Sequence, residues 1–449
     1  MGNTTTISGG GLQLERTNAS IVDGQFGNNQ AQFGGGLEAS DAGIVQVDNT
    51  SFYGNFATVE GGALKNDNAV VMVLNRPIFT NNQSNGSGGA IANLSTLTLN
   101  QAYLGNNRAL LDGGSVLNGG DLTVNQTTFQ NNVADRYGAG IHNSGQLEVE
   151  GSAFQGGSAI AGGGIFSDNG QNQVANSLFE GNVATGGLTT GDGAGIYSYQ
   201  SQFDVATSTF QNNQAEDFGG AIASLEGYLS IVGTTISGNS ARVGGGLHQN
   251  LGSLAIADSI FLNNQSLLQG GGLDLFGVSN ASIQRTLLQG NQAGDGGGGI
   301  ALGGATNLTL DQVSLLQNQG FRGGGLDAQL GRNYQGTLNI IDSTIAGNQS
   351  TSVNGGGMDV NPIASSPVNI SGSTISQNRS ARDGGGIVFG PNAIFNISNT
   401  TISENQANGR GGGIANFGTL NLTHTTLADN QSDADSNGAE AGGDCSPMS

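Results

Sequence analysis

A Gly-Gly-(Gly/Ala/Ser)-aliphatic motif recurs along the whole sequence, with its aliphatic residue at Leu12, Leu37, Leu64, Ile91, Val116 and onward to Ile387 and Ile414. Most steps between these residues are 24–27 positions, a period at which each repeat is one supersecondary unit that buries its apolar face only against its neighbours. A second motif, apolar-x-x-Asn, alternates with the first, as in Phe26…Asn29, Phe129…Asn132, Phe210…Asn213, Phe261…Asn264, Ile345…Asn348 and Ile402…Asn405. Between the two lie short alternating runs such as Leu97-Thr98-Leu99 and Leu308-Thr309-Leu310. A period of two marks a half-buried strand.

Each repeat therefore reads as two or three short strands joined by tight turns. Gly and β-branched residues dominate, and no 3.6-residue pattern persists, which excludes a helical array. An up-and-down barrel closes after a fixed number of strands, whereas near-identical units favour an open coil. The predicted fold is all-β: a single-stranded right-handed parallel β-helix of about sixteen turns over residues 1–430, followed by an acidic, Gly-rich tail over 431–449.

The residue types fit that geometry. Gly permits positive φ and close approach of neighbouring backbones at a corner. Aliphatic and Phe side chains are expected to stack inside the coil. Asn29, Asn132, Asn213, Asn264, Asn348 and Asn405 are expected to form a ladder, because an amide donates and accepts between adjacent turns. A Ser/Thr row two positions before the apolar residue, including Thr127, Ser152, Ser177, Ser343 and Thr400, is a candidate second ladder.

Composition removes several classes of function. The formal net charge is −21, with Lys65 the single lysine; a phosphate backbone needs a basic footprint, so nucleic acid is not an expected partner. No apolar run is long enough to span a bilayer as a helix. Cys445 is the single cysteine, so stability must come from packing and ladders rather than an internal disulfide. The 81 glycines follow no three-residue period, which excludes collagen. The chain opens inside a repeat without an export signal, as expected of an excerpt of a longer exported protein.

The alternating Gly-Gly-Ala-Ile and Phe-x-x-Asn motifs resemble the repeats of polymorphic outer-membrane proteins, which are bacterial autotransporter passengers. The resemblance covers residues 7–430. It implies a secreted or cell-surface location and an adhesive or structural role toward a host or matrix surface, whether protein or polysaccharide. The membrane barrel of an autotransporter is not among these residues.

Parallel β-helices also carry carbohydrate-active enzymes, so an acidic face must be weighed against the scaffold reading. The residue after each first-motif aliphatic should point outward. Asp274, Asp327 and Asp359 occupy that row, and two long steps in the repeat, 32 residues from Leu326 to Met358 and 29 from Met358 to Ile387, fall beside them. The extra residues, 331–336 and 362–367, should protrude side by side and wall a groove, with Arg332 and Tyr334 offering charge and a stacking face. Two acids across such a groove can bind a sugar, or act as acid and base in a hydrolase or epimerase. No Lys or Arg lies in that row near the three Asp residues, which argues against a lyase that abstracts a proton with a basic residue. His142, His248 and His424 are too far apart in turn number for a triad or a metal site.

The tail matches D-x-D-x-N-G with a later acid: Asp433, Asp435, Asn437 and Asp444 are candidate calcium ligands. No other cofactor is expected. The expected function is thus a non-enzymatic exported rod, with a carbohydrate-active β-helix as the alternative.

Overall fold

The structure, a computed structural model, describes residues 2–41, 43–186, 193–435 and 445–447. It is all-β, a parallel β-solenoid of about sixteen turns; the one helical element among the described residues is a short 3-10 turn, Leu330–Arg332. Residues 1–227 and 228–449 form two compact units.

In the first unit one turn carries four strands, not two or three. The turn beginning at Ile91 shows them: Ile91–Asn93, Thr96–Asn100, Tyr103–Gly105 and Arg108–Ala109. Each pairs in parallel with its counterpart in the next turn, so Ile91 lies beside Val116, Leu97 beside Leu122 and Leu104 beside Phe129. The second unit repeats the plan, with Leu273 beside Ile300, Ile300 beside Leu326 and Leu326 beside Met358.

The corners explain the conserved composition of the turns. Gly88 opens the first motif at φ +65°, and a Cβ on Gly89 would strike the carbonyl of Gly114 in the next turn. Only glycine fits both demands. At the apolar-x-x-Asn motif the two adjacent asparagines divide the work. Asn106 adopts φ +55°, the left-handed conformation Asn tolerates best among non-glycine residues. Asn107 turns inward and is fully buried.

That inward Asn forms a ladder. Asn107 donates from its backbone N (2.9 Å) and its Nδ2 (3.2 Å) to Asn132 Oδ1, and also to the carbonyl of Phe79. Asn29 does the same to Asn55, and Asn182 to Asn213. In the second unit Asn264 bonds Asn291, Asn348 bonds Asn378 and Asn405 bonds Asn430. The Ser/Thr row makes a second ladder: the backbone N of Thr127 donates to Ser152 Oγ, that of Ser152 to Ser177 Oγ, and that of Ser343 to Ser373 Oγ. A third runs inside the first strands, through Asn66, Asn93, Asn118 and Asn143 to Asn172. The ladders thereby give partners to amides and hydroxyls that a narrow coil is forced to bury.

Between the ladders the core is apolar. Phe129, Phe154, Phe179 and Phe210 stack with centroids 4.5–4.7 Å apart and planes within 3–4° of parallel. That spacing is set by the strand separation of about 4.8 Å. In the second unit Ile236, Phe261, Leu288, Leu315 and Ile345 fill the equivalent position, all fully buried. Cys445–Pro447, within the stretch that reads as a tail in the sequence, forms a strand parallel to Ile414–Asn416.

Candidate functional site

The acidic row sits on the first strands of the second unit: Leu273–Phe276, Ile300–Gly303, Leu326–Gln329 and Met358–Asn361. Parallel register places Asp274 beside Ala301, Ala301 beside Asp327 and Asp327 beside Asp359. The row faces away from the coil interior, yet it is not exposed. Asp274, Asp327 and Asp359 retain 0%, 2% and 3% of their accessible surface. The expectation of a solvated outward face therefore fails, because segments between the fourth and first strands, together with the 3-10 turn, fold over it.

The insertion at 331–336 does most of the covering. Arg332 reaches in from the 3-10 turn and places Nη1 2.5 Å from Asp274 Oδ1. His248, one turn earlier, places Nδ1 2.8 Å from the other oxygen. Burial is the largest influence on the Asp274 carboxyl and pushes it up, but Arg332 and His248 together outweigh it and hold the group below the usual carboxylate range. Asp274 is thus a buried anion with two cationic or hydrogen-bonding partners, an arrangement that locks the turn in place.

Tyr334 is also buried completely, and its hydroxyl has no hydrogen-bond partner among the described residues. Burial pushes that phenol up. The stacking face expected of Tyr334 is absent, since its ring is core. The two insertions do lie side by side, with the Ile363 N donating to the Tyr334 carbonyl at 2.9 Å. Instead of walling an open groove, the first of them caps Asp274.

Asp327 and Asp359 remain a close carboxyl pair. Asp327 Oδ1 has no hydrogen-bond partner among the described residues. Burial first, and the neighbouring Asp359 second, hold the Asp327 carboxyl well above its ordinary range, against the pull of Arg322 and Arg332. Burial likewise pushes Asp359 up to about 7, although Arg322 and a 2.9 Å hydrogen bond from Gln329 Nε2 pull the other way. Two like charges at this separation in a dry site do not both ionise, so the pair holds a proton.

Asp359 opens onto a pocket of about 320 Å³. Its polar wall is Arg322, Gln329, Asn354, Asp359 and Asn361, and its apolar wall includes Val353, Val388, Pro391 and Phe417. Arg322 donates Nη1 to Gln329 Oε1 and Nη2 to Asp295 Oδ1 at 3.3 Å. The acidic row was legible as a row of outward positions. Arg322 was not, because it enters from the segment before the next Gly-Gly-Gly; its place directly ahead of Gly323 is the one signal the sequence offers. His248 stood in the same row as Asp274 one repeat earlier, and repeat alignment alone pairs them.

The first unit presents two further features that motif reading passed over. On the second strands, Asp121, Gln146, Gln171 and Gln202 form one column in register, and Thr123, Glu148, Gln173 and Asp204 form another. Together they line an open polar trough of about 350 Å³. Tyr137, just ahead of the first strand Ile141–Asn143, stacks with Phe166 and Phe166 with Tyr197 at 4.5 and 5.0 Å, with His142 edge-on to Phe166. Burial lowers the His142 pKa, against the pull of Asp112.

Of the four candidate calcium ligands, Asp433 and Asp435 are described and Asn437 and Asp444 lie outside the described residues. Among the described residues no group of three or more His, Cys, Asp or Glu is placed to hold a metal ion, and no helix is long and apolar enough to cross a membrane.

Two stretches, residues 78–94 and 207–225, match the Chlamydia polymorphic membrane protein repeat. Each runs from an apolar-x-x-Asn motif (Phe79…Asn82, Phe210…Asn213) into a Gly-Gly-Ala-Ile motif ending at Ile91 or Ile222, so the match falls on the residues that build the corners and ladders. No curated protein matches the chain. The likeness is therefore one of repeat and architecture: in these two turns the solenoid is similar to the chlamydial polymorphic membrane protein repeat.

Proposed function

We propose that this chain is an exported or cell-surface β-helix with a structural and adhesive role, acting without catalysis on a host or matrix surface. One observation carries the reading: row after row of buried polar side chains is committed to holding adjacent turns together. The asparagine, serine and threonine ladders bond turn to turn, and Asp274 is closed off by Arg332 and His248. The two turns similar to a repeat of bacterial membrane proteins support a surface location. A solenoid of this kind presents rows of exposed side chains at fixed spacing, which suits multivalent attachment. Binding of the purified chain to host cells and matrix polysaccharides tests this. Saturable binding without any change in the bound polymer is the expected result, and cleavage or isomerisation of the polymer overturns the non-enzymatic part.

A second reading is favoured by the pocket at Asp359, which combines a concave shape with convergent polar groups and an apolar wall. In that reading the acidic face binds a saccharide. A glycan-array screen of the wild type and the Asp327→Ala/Asp359→Ala pair, with and without calcium, tests it. Binding of a glycan that disappears in the double variant supports the reading, and the same glycans bound by both proteins sink it.

A further inference from the structure

The pocket's polar wall sets a cationic donor, Arg322, and a carboxyl, Asp359, among the amides of Gln329, Asn354 and Asn361. Arg322 only donates. Asp359 accepts from Gln329 Nε2 and, below about pH 7, carries a proton that it can donate. The charged and titratable groups facing the pair are Asp327, Arg322, Arg332 and Asp295, with Gln329 bonded to Asp359. An occupant rich in acceptor oxygens is what two convergent donors select.

Arg322 has one nitrogen to offer such an occupant: its Nε is buried with no hydrogen-bond partner among the described residues, while Nη1 bonds Gln329 and Nη2 bonds Asp295. Its contact with Asp295 is long, at 3.3 Å, and Asp295 is also held by Gln269 Nε2 at 2.9 Å. Asp295 therefore keeps a partner if the guanidinium turns toward the pocket. A carboxylate matches the planar fork of a guanidinium better than any neutral group. On the other side, Val388, Pro391 and Phe417 offer an apolar surface. The volume, about 320 Å³, lies at the small end of the range of about 300–1,000 Å³ for ligand pockets, which suits one ring and not a chain.

We propose that this pocket takes a single sugar residue bearing a carboxylate: the carboxylate on Arg322, the hydroxyls on Asp359, Gln329, Asn354 and Asn361, and the apolar ring face on Val388 and Phe417. The proposal rests on the saccharide reading of the Asp359 face and narrows it to acidic sugars. It carries a pH signature. While Asp359 holds its proton it can donate to the ligand. Once the pair loses that proton, a second negative charge faces the ligand's own and binding weakens.

Calorimetric titration of the whole chain with glucuronate, glucose and isobutyrate at about pH 5.5 and about pH 8.5 tests the proposal, the two values bracketing the proton loss. Glucuronate is expected to bind the wild type at the lower pH and to weaken by about tenfold or more at the higher, through the loss of one hydrogen bond and the added like charge. Asp359→Asn, folded by circular dichroism, should bind glucuronate with the same affinity at both values. Arg322→Gln should weaken glucuronate by about tenfold at the lower value. Glucose bound as tightly as glucuronate overturns the acidic assignment and leaves the saccharide reading standing. Isobutyrate bound as tightly overturns the sugar assignment. If none of the three binds, both the proposal and the saccharide reading of this pocket fall.

Discussion

Asp327 and Asp359 set the pH response of the chain at the scale of single residues. Both carboxyls are raised above their ordinary range, Asp359 to about 7, whereas an unfolded aspartate titrates near pH ~3.9. Between those values the folded state binds more protons than the unfolded one, so stability falls as pH rises. The contribution is intact below about pH 4 and is lost as pH passes through about 7. Thermal melts should therefore drop across that window. Asp359→Asn should flatten the drop, melting above the wild type at pH ~8 and no higher than it at pH ~4. Arg332 acts in the opposite sense, since it compensates the fully buried Asp274. Arg332→Met strands that charge and should lower the unfolding free energy by about 3–5 kcal/mol in a denaturant titration. Arg332→Met combined with Asp274→Leu should recover much of the loss, because an apolar replacement of a buried pair is often neutral.

The ladder and the aromatic stack govern stability at the scale of the element. Asn264 Oδ1 accepts from the backbone N and the Nδ2 of Asn239, and its own Nδ2 donates to Asn291 and to the carbonyl of Ile236. Asn264→Ala leaves several of these groups buried without partners, at about 1–3 kcal/mol apiece. The predicted result is a loss of about 3 kcal/mol or more in chemical denaturation. Asn396→Ala, which breaks two exposed side-chain hydrogen bonds, to Asn369 and from Asn421, should change stability by no more than about 0.5 kcal/mol. Phe154→Ala opens a gap between Phe129 and Phe179 and should cost about 3–5 kcal/mol. These roles were largely readable beforehand, because a solenoid repeats one environment and so repeats the residue that suits it. The ladder through Asn66, Asn93 and Asn118 was less visible, because first-strand asparagines resemble ordinary strand-end polar residues. The fourth strand, two residues long in turns such as Arg108–Ala109, is too short for any alternation to declare it.

At the scale of the whole molecule, the repeat made the architecture legible and left the site half hidden. Alternation along Leu326-Asp327-Ala328 says which side chains leave the coil interior, and it placed Asp274, Asp327 and Asp359 correctly on one row. It does not say whether another segment folds over them. That depends on where Arg322, Arg332 and Tyr334 come to rest, the first in a corner segment that alternation does not describe and the other two in an insertion that breaks the repeat. The same gap separates a surface scaffold from a ligand-binding protein, since both share the ladders and differ at the pocket near Asp359. A formal net charge of −21 keeps such a surface soluble and repels polyanions at long range, so attachment must come from close contacts. Binding and product release are therefore the quantities to measure together. The purified chain is incubated with immobilised host-surface and matrix glycans, and retention and any soluble fragments are recorded for the wild type and for Asp327→Ala/Asp359→Ala. Retention of the chain with no fragments released by either protein is the predicted result; fragments released by the wild type and not by the double variant would contradict it.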